Sequence, residues 1–167
     1  THLKAGHEAV AIGYLERFAA DYERESGQIS VPEVAEKNNI KVAVIGSGPA
    51  GLSFAGDMAK QGYDVTVFEA LHEIGGVLKY GIPEFRLPNK IVDVEIDNLS
   101  KMGVKFMKDC IVGKTISVED LEAEDFKGIF VASGAGLPNF MNIPGENSIN
   151  IMSSNCLLYT SPSPRDR

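Results

Sequence analysis

The chain has 167 residues, 44% of them hydrophobic, enough for one packed domain with appendages. Sixteen basic against 23 acidic residues leave a net charge of −7, which argues against a nucleic-acid or anionic-membrane partner. No apolar run approaches the roughly 20 residues of a membrane span, no signal peptide is evident, and Cys110 and Cys156 alone make neither a disulfide framework nor a metal cluster. The composition reads as cytoplasmic.

Residues 1–39 differ in texture from the remainder of the chain. His2 and His7 have no nearby cysteine or paired acid, and read as solvated tail residues rather than ligands. Residues 9–22 carry Ile12, Leu15, Phe18 and Ala19 at helical spacing, so a helix with one apolar stripe is predicted there. Residues 23–39, polar and interrupted by Gly27 and Pro32, read as a linker to a strand beginning at Ile40.

Residues 41–69, KVAVIGSGPAGLSFAGDMAKQGYDVTVFE, read as strand, glycine turn, helix, strand. Val42, Val44 and Ile45 form the apolar, β-branched run of a buried parallel strand. Gly46, Gly48 and Gly51 make G-x-G-x-x-G: the first permits a tight turn, the second leaves no Cβ where a pyrophosphate approaches, and the third lets the helix pack on the strand. Pro49 comes next in the turn, and a helix over 50–60 aims its N-terminal N–H groups at phosphate. The second strand is predicted over 64–68. Glu69 ends it, about 20 residues past the motif, where an acid meets a ribose hydroxyl pair. Glycines alone also mark ordinary turns, but here the motif comes after a strand, opens a helix and has its acid in place. The acid points to an unphosphorylated ribose, as in FAD or NAD, rather than NADP.

Residues 70–88 read as a long loop with Gly75, Gly76, Gly81, Pro83 and Pro88. Its apolar residues, among them Ile74, Val77, Leu78 and Phe85, argue against disorder, and long ordered loops are usually functional. The glycine pair would bring backbone close to a ligand, and Arg86 is either a phosphate partner or a solvated loop charge. Asn89 is expected to cap a helix over 90–102 that stops at Gly103. A third strand is expected over 104–107, and a short helix over 118–122 behind a Ser117–Asp120 capping box. Cys110 reads as a small core or strand residue, and the acids of 119–125 as a solvated face. Ile129, Phe130 and Val131 form a further strand, trailed by the small residues Ser133, Gly134 and Ala135. Alternating strand and helix calls for an α/β, Rossmann-like, doubly wound parallel sheet with helices on both faces and ligand at the carboxyl ends of the strands.

The stretches AIGYLERFAADY, VAVIGSGPAGLSFAGDMAKQGYDVTVFEA, IGGVLKYGIPEFRLP and VASGAG, in that order, resemble the small (beta) subunit of NADPH-dependent glutamate synthase and its relatives. Those relatives are the FAD half of dihydropyrimidine dehydrogenase and the NADPH-linked ferredoxin and sulfide dehydrogenases. The likeness spans about residues 9–155, and the G-I-P-x-F-R-L-P stretch is its most specific part. It implies FAD on this first nucleotide-binding unit. Gly46, Gly48, Pro49, Ala50 and Gly51 would cradle its pyrophosphate and Glu69 hold the adenosine ribose. Gly76, Val77 and Arg86 would line the flavin side, Val112 would meet adenine through its backbone, and Ser133, Gly134 and Ala135 would form a flavin-contacting turn. The family's reaction is electron relay from NADPH through FAD to iron–sulfur clusters and a large (alpha) subunit that makes glutamate, or to another acceptor. No catalytic side chain and no metal ligand is assigned to this chain. Glu16 matches a glutamine that ligates an iron–sulfur cluster in one relative, but reads here as a helix-face residue.

The same resemblance implies a fragment: the end of an N-terminal helical domain with its linker in 1–39, a partial FAD-binding domain in 40–155, and a non-native tail in 156–167. The cysteine clusters and the NADPH-binding unit of the family would lie outside it. The tail, CLLYTSPSPRD, resembles an in-frame translation of a transposase sequencing adapter, the other reading being a Ser/Pro-rich disordered tail. A fragment of this kind is expected to be inactive alone, at most a nucleotide-binding module. A lone NAD dehydrogenase would need a catalytic His or Tyr–Lys pair, and none stands out.

Overall fold

The computed structural model describes residues 6, 9–27, 29–154, 156 and 157. His2, His7 and residues 158–167 of the tail lie outside the described residues. Two compact units divide the chain, Thr1–Val31 and Pro32–Arg167.

The first unit holds helix α1, Ile12–Ser26. It begins and ends later than residues 9–22, because Asp21 pairs with Arg17 one turn back and with Arg24 ahead, which carries the helix past Tyr22. Gly27 then stops it in the left-handed conformation, so residues 23–26 are helix rather than linker. Glu16 lies exposed on this helix.

In the second unit, strands β1 (Lys41–Ile45), β2 (Asp64–Phe68), β3 (Lys105–Met107) and β4 (Phe126–Val131) form one parallel sheet in the order β3-β2-β1-β4. The β-branched runs of β1 and β2 are buried along most of their length, as a strand covered on both faces must be. Helix α2 (Pro49–Lys60) links β1 to β2. Helices α3 (Val77–Tyr80) and α4 (Asn89–Lys101) lie between β2 and β3, and α5 (Val118–Ala123) lies between β3 and β4. On one face, α2 stacks the Phe54 ring on Phe130 of β4, centroids 4.1 Å apart, and Gly56 faces Leu99 of α4. On the other face Ala43, Phe68 and Leu121 of α5 form a buried cluster, joined by Cys110, Val112, Ile116, Phe126 and Ile129. The doubly wound α/β sheet expected from the sequence is therefore present, and Cys110 is a half-buried flank of its core.

Two local expectations change. The loop over 70–88 contains α3, whose four residues come directly after the glycine pair. Asn89 is the first residue of α4 and not its cap: Pro88 is the N-cap, and the Asn89 N–H donates to the Glu84 carboxylate at 2.9 Å. The Ser117–Asp120 capping box forms in full, with reciprocal hydrogen bonds of 3.0 and 2.9 Å. Before β1 the chain straps the α2–β2 turn: Ala35 N–H donates to Lys60 C=O at 2.9 Å and Asn38 N–H to Gly62 C=O at 3.1 Å. Among the described residues no helix is long and apolar enough to cross a membrane.

Candidate functional site

The strand order decides where a crevice lies. From β1 the chain winds outward through β2 and β3, then returns to place β4 on the other side of β1. The turns leaving β1 and β4 therefore meet at the carboxyl end of the sheet, the switch point where open α/β sheets bind ligands. Contact there is tight. Gly46, at φ +100°, donates its N–H to Phe68 C=O at 2.8 Å. A Cβ on it would come within 2.5 Å of Ala132 C=O and 3.3 Å of Ser133 Cα.

The three motif glycines differ in what requires them. A Cβ on Gly51 would lie 2.0 Å from the Gly46 carbonyl oxygen, so the closeness of helix and turn demands glycine. Gly46 is demanded by its φ and by Ala132. Gly48 has φ −68°, which any residue adopts, and a Cβ on it would meet no atom within 4 Å. The chain's own packing gives no reason for a glycine there, whereas a ligand approaching the turn does. Gly48 is the N-cap of α2 and half-buried, Pro49 is its first residue, and Pro49 and Ala50 are both exposed. The N–H groups of a helix's first turn lack intrahelical acceptors and carry the positive end of its dipole, a setting for an anion.

Glu69 is 6% exposed, and its carboxylate faces back into the turn. Oε2 accepts from Ser47 N–H at 2.9 Å and from the Ser47 hydroxyl; Oε1 accepts from Leu71 N–H at 2.9 Å. Ser47 is fully buried, and its Oγ also accepts from Gly75 N–H at 2.9 Å. Gly76, at φ +53°, stacks its backbone on the turn: a Cβ on it would sit 2.9 Å from Gly48 Cα. The glycine turn, the end of β2 and the Gly75–Gly76 pair are thus one assembly. Ser47 is the member that sequence reasoning passes over. A polar residue set between two motif glycines at the end of an apolar strand is the available signal, since a buried hydroxyl needs partners.

The other expected residues lie on α3 and on loops of the second unit. Val77 opens α3 directly after Gly76 and is exposed. Val112 is reached through Cys110, whose N–H donates to Glu69 C=O at 2.9 Å. Its bridge to Ile116 is carried by Gly113 N–H at 2.7 Å, so the N–H and C=O of Val112 itself face away from Ile116. Arg86 is exposed in a turn closed by its N–H to Pro83 C=O at 2.9 Å, and has no ion pair among the described residues. Gly134, at φ +70°, and its neighbours Ser133 and Ala135 are exposed beyond β4. Among the described residues no hydrogen bond or ion pair ties Arg86 or Gly134 to the glycine turn.

A charge cluster outside the expected set braces the glycine pair. Lys79 of α3, whose side chain is 11% exposed, reaches Asp93 of α4 at 2.6 Å and Glu73 at 3.0 Å. Burial disfavours the ammonium, but the hydrogen bonds to Asp93 and Glu73 outweigh it and hold the Lys79 pKa above its ordinary value. The hydrogen bond from Lys79, with its charge, lowers the pKa of Glu73. The stem of Lys79 lies against Gly75. Among the described residues no three His, Cys, Asp or Glu side chains converge to hold a metal ion.

A profile of the pyridine nucleotide-disulphide oxidoreductase family matches residues 40–160. The NAD-dependent dihydropyrimidine dehydrogenase subunit PreT of Escherichia coli O157:H7 is 39% identical over 153 residues, spanning 89% of this chain and 37% of that protein. The NADPH-Fe(3+) oxidoreductase subunit beta of Geobacter sulfurreducens is 39% identical over 142 residues, spanning 84% of this chain and 21% of that protein. Among solved structures, Mycobacterium tuberculosis FprA in complex with NADPH superposes with a TM-score of 0.58 at 23% identity, over 66% of this chain and 26% of that one. A 2-naphthoyl-CoA reductase complex gives 0.57 at 27% identity, over 72% and 17%. The chain thus spans well under half the length of these relatives.

Proposed function

This chain belongs to the pyridine nucleotide-disulphide oxidoreductase family, and from that premise we propose that it is the FAD-binding part of an NAD(P)H-dependent oxidoreductase of the glutamate synthase small-subunit type. One observation carries the reading: Gly48, at the N-terminus of α2, is a glycine that its own chain does not require. The residues fit an adenine dinucleotide. The turn over 46–51 presents backbone N–H groups and a helix N-terminus to a pyrophosphate. Glu69 keeps acceptor capacity on Oε1, which takes a single donor from the chain, for a ribose hydroxyl. On this reading Val112, whose N–H and C=O face away from Ile116, would meet adenine through its backbone, Gly76, Val77 and Arg86 would line the flavin end, and Gly134 would add a bare turn beyond β4.

The redox chemistry is the flavin's: hydride uptake from a nicotinamide and delivery of electrons onward. The chain binds, orients and excludes water, and no side chain of it is assigned a catalytic step. NADPH and iron–sulfur clusters belong to the parent protein, their binding regions outside this chain, and a large (alpha) glutamate synthase subunit is the proposed acceptor. Glu69 crowds a 2′-phosphate with negative charge, which keeps NADP(H) off this particular unit. The second reading is a related FAD subunit with another acceptor, such as a ferredoxin or sulfide dehydrogenase, and what leaves it open is that the relatives named above are dihydropyrimidine dehydrogenase and NADPH-Fe(3+) oxidoreductase subunits and not glutamate synthases.

Equilibrium dialysis of the chain against FAD, FMN and ADP tests the binding role. FAD should be retained, ADP should displace it, and FMN, which lacks the adenosine half, should pass through. Equal retention of FMN, or no retention of FAD, would overturn the proposal.

A further inference from the structure

We infer that the Ser47 hydroxyl is a positioning group that couples nucleotide binding at Glu69 to the backbone of Gly75 and Gly76. The inference rests on the dinucleotide site proposed above and adds a link within it. Ser47 is fully buried, and its Oγ does two things at once: it donates to Glu69 Oε2 and accepts Gly75 N–H at 2.9 Å. A hydroxyl has one proton to give, so acceptance from Gly75 fixes that proton on Glu69. Together with the Ser47 N–H it holds Oε2, and Leu71 N–H holds one side of Oε1. A carboxylate has about four acceptor sites. Three are taken by the chain, which leaves one, on Oε1, aimed by the other three.

The consequence runs both ways. A hydroxyl accepted at Oε1 steadies the carboxylate, hence the Ser47 rotamer, hence the Gly75 amide. Conversely, the Gly75–Gly76 backbone, which rests against Gly48 Cα, holds Ser47 in the rotamer that presents Glu69. Binding at the adenosine end therefore orders the segment that leads into α3, by a hydrogen-bonded path with no large movement.

The test is amide hydrogen exchange of the full 167-residue chain by NMR, with and without ADP, in the original sequence and in Ser47→Ala. Alanine removes the hydroxyl and adds no volume to a filled site. The original chain should show slow exchange at Gly75, slowed several-fold more by ADP. In Ser47→Ala, Gly75 exchange should rise about tenfold without ligand, ADP affinity should fall about tenfold, as for a lost hydrogen bond to a charged group, and ADP should no longer protect Gly75. Gly75 exchange unchanged by Ser47→Ala without ligand would overturn the coupling whatever ADP does. So would ADP protecting Gly75 equally in both chains. Failure of ADP to bind either chain sinks the nucleotide site instead, and the ligand-free comparison still decides whether the hydroxyl holds Gly75. A circular dichroism spectrum and a melting curve of Ser47→Ala separate loss of the link from loss of the fold. If Ser47→Ala does not fold, Ser47→Thr, which keeps the hydroxyl, should preserve the ADP-dependent protection, and its loss there overturns the inference.

Discussion

Gly51 and Gly48, three positions apart in one motif, respond to substitution in opposite ways. Gly51→Ala drives a methyl to 2.0 Å from the Gly46 carbonyl, so α2 must shift off β1. It should destabilise by about 3 kcal/mol or more, as overpacking does, read as a lower midpoint in urea unfolding. Gly48→Ser meets nothing within 4 Å, sits at an N-cap where serine is favoured, and adopts φ −68° without strain. Its unfolding midpoint should match or exceed that of the parent sequence while FAD retention in dialysis falls at least tenfold. A large loss of stability in Gly48→Ser would mean that packing, not a ligand, accounts for that glycine. Both glycines are legible from the motif, but their different reasons are not, because clash distances belong to atoms that meet only after the sheet forms. Ser47 is marked in the sequence only as a polar residue between two motif glycines, and its role is hidden for the same cause: its partners, Glu69 and Gly75, are brought to it by the fold.

Helix α3 shows how an element unsupported by its own sequence can persist. Four residues are too few for helix formation in water. Here Lys79 clamps α3 to Asp93 of α4 and to Glu73, and Glu73 N–H donates to the Tyr80 hydroxyl at 2.8 Å. The pH response comes from the directions of the shifts. Glu73 has a lowered pKa in the fold, so its contribution is present above its ordinary value and is lost as pH falls through the folded value. Lys79 has a raised pKa, so its contribution is complete below its ordinary value and is lost as pH rises through the folded one. The clamp should therefore be steady between about pH 5 and 10 and open at both extremes, monitored as exchange at the α3 amides. The Glu73 side chain is 45% exposed, which discounts its share. Lys79→Met should lower the melting temperature by about 2–4 °C, the size expected for roughly 1 kcal/mol in a chain of this length, and should speed exchange at Gly75. An unaltered melting temperature and Gly75 exchange would show that α3 is held by its apolar contacts alone. The helix within 70–88 is hidden in the sequence because its glycines and prolines read as loop. Asn89 resembles a cap because its true acceptor, Glu84, lies upstream in the same loop.

At the scale of the whole molecule, the second unit offers one carboxyl-end crevice and one glycine motif among the described residues, and the chain spans 37% of one relative and 21% of another. On the proposed reading it grips the adenosine end of FAD and lacks the partner that delivers a hydride. The chain saturated with FAD should therefore show no NADPH-dependent dye reduction above free FAD. Turnover well above that background would refute the division of labour. The family membership carries the oxidoreductase class; on the proposed reading the acceptor belongs to a partner subunit and not to the residues of this crevice.

The α/β class, the order of the strands and of every helix but α3 along the chain, and the glycine motif with its acid were all determined by local pattern. β-Branched residues such as Val42, Val44 and Ile45 and the spacing of Gly46, Gly48 and Gly51 act within a few residues of themselves, and local preferences are what a sequence displays. The tertiary structure alone decided that β4 returns beside β1, that Ser47 joins Glu69 to Gly75, and that Asp93 of α4 holds Lys79 of α3. Each of these depends on groups far apart in the chain whose meeting is set by burial of two apolar sheet faces, an outcome of the whole packing rather than of any one segment.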